Sequence, residues 1–217
     1  MFSFLQSASE DAGAISGATR ALAFASNVAA LSLILVALRI GDLTTGVSSI
    51  TDTRGTTYTQ VDIQDQTTDG HRLHLWQGLS TPGAGANTVT ANFSASGASL
   101  RWAIHEYGSD GTQVQDQKAK GQQDATTSPS AGSITPGVAN ELVFGCESNG
   151  GGPTIVATGS FTLRETPASK IGTEDWIQTT ATATDVGFTI SSDNAAAQIV
   201  SYKQVASGDT LLAQAVL

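Results

Sequence analysis

Leu31-Ser-Leu-Ile-Leu-Val-Ala-Leu-Arg-Ile40 opens a stretch that passes through Gly41-Asp42 and closes with Val47-Ser-Ser-Ile-Thr-Asp-Thr-Arg-Gly-Thr-Thr-Tyr58. The fold turns on how this stretch is read. As a helix, the apolar run would be a membrane anchor or a buried helix; as a strand, it would be the centre of a β-rich core. The wider window of residues 21–40, ALAFASNVAALSLILVALRI, approaches the about 20 apolar residues that cross a bilayer. Asn27, Ser32 and Arg39 interrupt it, however, and its many alanines are weak on transfer scales. Arg20-Ala-Leu-Ala-Phe-Ala-Ser26 alternates large and small side chains, Asn27-Val-Ala-Ala reads as a turn, and residues 31–40 read as a second strand. A continuous apolar run of this length between turn residues suits a strand covered on both faces. We favour the strand, with a buried helix as the competing reading.

Composition agrees. Only 13% of the 217 residues are charged, 23 are glycine, and Ser, Thr and Ala crowd the rest. That mixture is poor helix material and suits short strands joined by turns. The length fits one large all-β domain over residues 1–217, with an N-terminal arm at 1–18 and an apolar C-terminal tail at 205–217. A net charge of −9 argues against a broad basic surface for nucleic acid. It also keeps many like-charged copies soluble side by side. The single Cys146 excludes an intramolecular disulfide and fits folding in a reducing cytoplasm. Met1-Phe-Ser-Phe-Leu-Gln-Ser-Ala-Ser-Glu-Asp-Ala12 has no basic n-region, so a secretory signal is not expected there.

Along the chain, residues 2–6 read as a short strand and 7–18 as a small-residue link. Residues 47–51 and 57–63 read as a hairpin about Asp52-Thr-Arg-Gly55, where Asp accepts from amides ahead of it and Gly tolerates positive φ. His71-Arg-Leu-His-Leu-Trp-Gln77 alternates, with Leu73 and Leu75 on one face and Arg72, His74 and Trp76 on the other. Further strands are expected at 87–94, 100–107, 141–147, 160–165, 174–179, 185–190 and 196–203. Residues 108–132, nearly devoid of large apolar side chains, read as a long surface loop. About a dozen short strands with regular turn signals indicate an antiparallel β-sandwich or barrel.

Candidate chemistry is sparse. His71, His74 and His105 with Glu106 are conceivable metal ligands, but zinc needs three or four that converge. His71 and His74, three apart on a strand, face opposite ways. Asp52, Glu106, Glu147, Glu165, Glu174 and Asp175 supply carboxylates, yet a glycosidase needs a pair at a set separation, and the adjacent Glu174 and Asp175 diverge. No G-x-S-x-G occurs, and the glycines at 83, 85 and 150–152 lack a following Gly-Lys-Ser/Thr. Asp65, Asp69 and Asp110 fit no EF-hand spacing. No catalytic residue, cofactor or metal ligand is therefore assigned. Trp76, with His74 and Arg72 beside it, and Tyr107 are the candidate surface or glycan contacts; Trp102 and Trp176 are expected in the core. The apolar ends, with Phe2, Phe4, Leu211, Leu212, Val216 and Leu217, are candidate inter-subunit contacts that could add a strand to a neighbouring copy.

The succession LILVALRIG, VSSITDTRGTTYT, RWAIHEYGSD, SITPGVANELVFG, GSFTLRE, TEDWIQ and AAAQIVSYK resembles a family of β-sandwich proteins from tailed bacteriophages and bacteria, over about residues 4–203. Arg54-Gly55-Thr56 departs from the expected Gly-Asn, and Gln198 stands where an aromatic residue is more usual. The resemblance implies a jelly-roll-like sandwich and a virion structural role, as a capsid- or tail-associated decoration that stabilises the particle or offers a weak adhesive surface. Implied partners are other copies of the chain and a major capsid or tail protein, without nucleic acid or a membrane span. The alternative is a carbohydrate-binding or adhesion module at a cell surface, facing a host glycan.

Overall fold

The computed structural model describes residues 1–80 and 83–205, and there the chain is almost wholly antiparallel β-structure. In chain order the strands are β1 (Ser3–Ala14), β2 (Thr19–Ala23), β3 (Leu33–Ile40), β4 (Val47–Asp52), β5 (Thr57–Gln66), β6 (His71–Leu79), β7 (Thr88–Phe93) and β8 (Ser99–Gly108). They continue with β9 (Thr112–Thr126), β10 (Glu141–Asn149), β11 (Val156–Ala157), β12 (Thr162–Glu165), β13 (Ile171–Gln178), β14 (Phe188–Thr189) and β15 (Asp193–Val205). One 3-10 turn, Pro167–Ser169, is the only helical element among the described residues. No helix there is long and apolar enough to cross a membrane.

The apolar run is β3, the middle strand of a sheet ordered β1-β8-β3-β6-β5. All eight of its residues are buried. Alternation sends Ile34, Val36, Leu38 and Ile40 to one face, where they pack with Val47, Ile50, Val89 and Phe93 of a three-stranded sheet, β2-β7-β4. Leu33, Leu35 and Ala37 point the other way, onto Leu142, Phe144, Val200 and Tyr202 of a second five-stranded sheet, β12-β13-β10-β15-β9. A strand covered on both faces has no position left for a polar alternation, which is why the sequence there is continuously hydrophobic. The outer face of the second sheet is covered in turn: Val143, Ala197 and Ile199 meet Ala131 and Ile134, while Ile155, Phe188 and Ile190 pack on Ala195.

Three expectations change. Residues 47–63 are not a hairpin: β4 pairs with β7 and β5 with β6, so Asp52-Thr-Arg-Gly55 carries the chain from one sheet to the next. The turn chemistry itself is as expected. Asp52 Oδ1 accepts the amides of Arg54 (3.0 Å) and Thr56 (2.9 Å), its Oδ2 accepts from Tyr58 (3.0 Å) and Asn87 (2.9 Å), and Gly55 has φ of 74°. Such a turn satisfies itself locally, so it says nothing about which strands its arms will join. The expected loop at 108–132 contains β9, a 15-residue strand at the edge of its sheet, paired to β15 along its length. An edge strand is held by backbone bonds and can be polar on its side chains. Likewise, β1 runs through most of the expected link and pairs with β8 from Ser3↔Gly108 to Ala14↔Ser99. Residues 206–217, and with them Leu211, Leu212, Val216 and Leu217, lie outside the described residues.

Because β3 is buried on both sides, Leu35→Ala and Leu38→Ala should each cost about 2–5 kcal/mol in denaturant unfolding. A silent Leu35→Ala beside a costly Leu38→Ala would mean that only one face of the strand is covered.

Candidate functional site

The expected aromatic platform is buried. The face of β6 that carries Arg72, His74 and Trp76 is the one turned toward β2-β7-β4, and Trp76 packs in that core at 8% exposure. His74 is buried too, and Arg72 is half-buried, its Nε and Nη2 reaching Asp65 Oδ1 and Oδ2 at 2.5 and 2.9 Å. Tyr107 is fully buried and donates to Asp175 Oδ2 at 2.7 Å. The alternation along β6 is as read from the sequence; a third sheet covers what a two-layer arrangement would leave open. Phe2 and Phe4 pack on the core between the two five-stranded sheets. Phe2 is buried, and Phe4 meets the Tyr107 ring edge-on at 5.7 Å while the Arg164 guanidinium lies 3.8 Å above it. Trp102 is core, with its Nε1 donating to Glu10 Oε2 at 3.2 Å, and Trp176 is half-buried against Phe161.

The carboxylates separate by strand face. Asp175 points toward the central sheet, where Arg164 grips both its oxygens at 2.7 and 2.8 Å. Glu174 points away, accepting the Gly187 amide at 2.5 Å. On that same outer face lies Glu147, held by Asn149 Nδ2 at 3.2 Å. The register pairs Gly145 with Glu174 and Glu147 with Gly172, so each carboxyl lies opposite a glycine on the neighbouring strand. A Cβ at Gly145 would come within 2.9 Å of Glu174 Oε1, and one at Gly172 within 3.2 Å of Glu147 Oε1. Burial pushes both carboxyls up to about 8. Sequence reasoning missed this pair because it lies across two strands; the glycines in Phe144-Gly-Cys-Glu147 and Ile171-Gly-Thr-Glu174 are its only trace.

The histidines are scattered. His105 Nε2 meets Thr173 Oγ1 at 2.9 Å between the two five-stranded sheets, and His74 is on the opposite face of the central one. Burial lowers His71 and His74 to about 4 and His105 to about 3. No three His, Cys, Asp or Glu among the described residues are placed to share a metal ion. Glu165 accepts from Ser7 (2.5 Å) and Ser9 (2.6 Å), joining β1 to β12, and Glu106 accepts from Gln6 (2.6 Å) and the Ala29 amide (2.6 Å).

An opening between the five-stranded sheets lies where edge strands β5 and β9 run side by side. Part of this seam is closed by Lys118 Nζ on Val61 O (2.5 Å), by Lys120 Nζ on Asp62 Oδ1 (2.5 Å) and Ile63 O (2.8 Å), and by Gln66 Nε2 on Gln123 O (3.0 Å). Before Val61 the clamps stop, and a groove of about 200 Å³ opens between Thr57, Thr59 and Gln77 on one side and Gln113, Gln115 and Tyr202 on the other. Leu33 and Leu79 give it an apolar side, and none of the described residues that line it is charged. A second groove of about 240 Å³ shares Leu79 and Gln113 and extends to Leu31, whose φ of 55° is unusual for a leucine.

Comparison with protein-family models, with curated proteins and with solved structures finds no match. The functional reading therefore rests on geometry.

Two outcomes are expected. Between 4.5 and about 8, folded Glu147 and Glu174 hold protons that an ordinary glutamate has lost, so their contribution to stability falls as pH rises across that window. The histidines act oppositely: an ordinary value of 6.5, lowered to 3–4 on folding, makes stability fall as pH drops below 6.5. Three histidines outweigh two glutamates below 6.5, and only the glutamates titrate above it, so these five groups together place maximum stability near pH 6.5. Glu147→Gln should flatten the alkaline limb; stability rising from pH 6.5 to 8 in the parent protein would contradict a buried protonated pair. Separately, Asp175→Asn should cost about 3–5 kcal/mol, because Arg164 is left against a partner without charge; a loss under ~1 kcal/mol in the same unfolding assay would show the pair to be solvated.

Proposed function

We infer that this protein acts by shape and contact rather than by chemistry, as a capsid- or tail-associated structural component of a phage-like particle. In this reading the chain is a single jelly-roll-like β-sandwich domain, present in many copies, that reinforces the shell or presents a weakly adhesive surface. One observation carries it. The side chains with reactive potential, His71, His105, Glu147, Glu174 and Asp175, are buried in the interior of the fold. Among the described residues the openings lie at strand edges, and those that line the β5/β9 groove are uncharged. A rigid stack of sheets tied by buried hydrogen bonds suits a part that bears load in an assembly. The net charge of −9 suits dense display, since neighbouring copies repel unless a specific contact joins them. An adhesive or carbohydrate-binding role draws support from the uncharged β5/β9 groove alone, because the aromatic residues first considered for it are interior.

Quantitative mass spectrometry of particles purified from a lysate encoding this chain should recover it at many copies per particle, co-sedimenting with the major capsid or tail protein. Recovery only in the soluble fraction would overturn the reading.

A further inference from the structure

Where β10 ends and β13 begins, a carboxyl, a carboxamide and an amine lie side by side. Glu147 stands opposite Gly172, and two residues on, the Asn149 backbone amide donates to Lys170 O at 3.1 Å. Asn149 and Lys170 are therefore cross-strand neighbours, a relation that sets Cβ atoms about 4.5–5.5 Å apart. Residues two apart on a strand share a face, and Asn149 Nδ2 donates to Glu147 Oε1 at 3.2 Å. The other carboxyl oxygen, Glu147 Oε2, is buried with no hydrogen-bond partner. Asn149 Oδ1 accepts the Gly152 amide at 2.9 Å. The Lys170 chain lies against that same glycine, its Cε 3.4 Å from where a Cβ on Gly152 would stand. Its Nζ rests on Gly150 O, one residue along from Asn149. Glu147 and Asn149 are fully buried and Lys170 is half-buried.

Together these groups make up the parts of an acyl transfer. Lys170 supplies an amine, Asn149 an acyl carbon, and Glu147 an acid–base group on the leaving nitrogen. The Gly152 amide sits on the oxygen that gains charge as the carbon becomes tetrahedral. We propose that Lys170 and Asn149 join through an amide bond between their side chains, with Glu147 as the catalytic acid and base. The neutral Nζ, swung off Gly150 O, attacks Asn149 Cγ; the Nζ–Cγ bond forms and the Cγ–Nδ2 bond breaks. Glu147 gives its proton to the departing Nδ2 and takes one from Nζ, so it is regenerated. One ammonia leaves, and nothing is oxidised or reduced. The charge states suit this chemistry. Burial, with the cations Arg39 and Arg101, lowers the Lys170 amine against the opposing pull of Asp193 and Asp69, while burial raises Glu147 to about 8. The bond would close the segment between Asn149 and Lys170 into a covalent loop. This inference stands apart from the virion reading: a chain absent from particles would still carry the bond.

The test is mass spectrometry of the purified full chain, folded and then denatured. The chain should weigh one ammonia less than the Lys170→Arg variant, after allowing for the substitution itself. Trypsin should fail to cut after Lys170, leaving residues 121–164 joined to residues 165–203 as one branched peptide. Glu147→Gln keeps the shape of the side chain and removes its proton; it should slow the cross-link about 10²–10⁴-fold, the usual contribution of a general acid–base group. A thermal melt of each variant, still cooperative, separates a lost reaction from a lost fold. A folded parent chain of full mass would overturn the proposal. So would an ammonia loss that persists in Lys170→Arg or maps to a linear peptide, because Gly150 N can close on the same Asn149 carbon as a cyclic imide. A Glu147→Gln variant that cross-links as fast as the parent would remove Glu147 from the reaction.

Discussion

Everything in this molecule depends on β3 being covered from both sides. A strand with one wet face can tolerate slippage in what it presents to water; a strand with two dry faces has no such tolerance. Each residue of β3 must therefore match a neighbour in another sheet, and the register to β6 and β8 runs without a bulge from Leu33 to Ile40. Irregularity is displaced to the outside strands, where β1 and β5 both carry register shifts. Arg39, in the last turn of alternation, marks the limit of the dry region. Its Nε donates to Asn149 O at 3.0 Å, and burial lowers the guanidinium to about 10.

Between the two five-stranded sheets, polar groups are spaced among apolar ones and each bridges the layers. Tyr107 and Arg164 meet on Asp175, His105 meets Thr173, and Gln198 Nε2 donates to Leu73 O at 2.8 Å. Apolar contact is non-directional and would permit several sliding arrangements of one sheet on another. Directional bonds between fixed atoms permit one, because any slip leaves a buried polar group unpaired. Gln198 acts in this way.

Much of this was legible in the sequence where burial imposes a pattern. Residues 31–40 betray a doubly covered strand, the alternation in His71-Arg-Leu-His-Leu-Trp-Gln77 assigns the faces correctly, and Asp52-Thr-Arg-Gly55 announces a turn. What remained hidden depends on partners distant in the chain. Nothing local to Trp76 reveals that β2-β7-β4 will cover it, and nothing local to Gln113 or Gln115 separates an edge strand from a loop. The buried Glu147 and Glu174 escaped for the same reason: their proximity exists only once β10 and β13 are side by side.

The pairing of β1 with β8 also has a temporal meaning. Ser3 finds its partner at Gly108, so nearly half the chain must be made before the first strand has anything to bond. At a synthesis rate of about 5–20 residues per second, that strand waits on the order of ten seconds. During that wait its backbone donors and acceptors are solvated, and beyond Phe4 and Leu5 its side chains are small or polar, Ser7, Ala8, Ser9, Glu10 and Asp11 among them. A hydrophobic strand in that position would be an invitation to premature association. The mild composition that made residues 7–18 look like a linker is what lets the strand wait unpaired without harm.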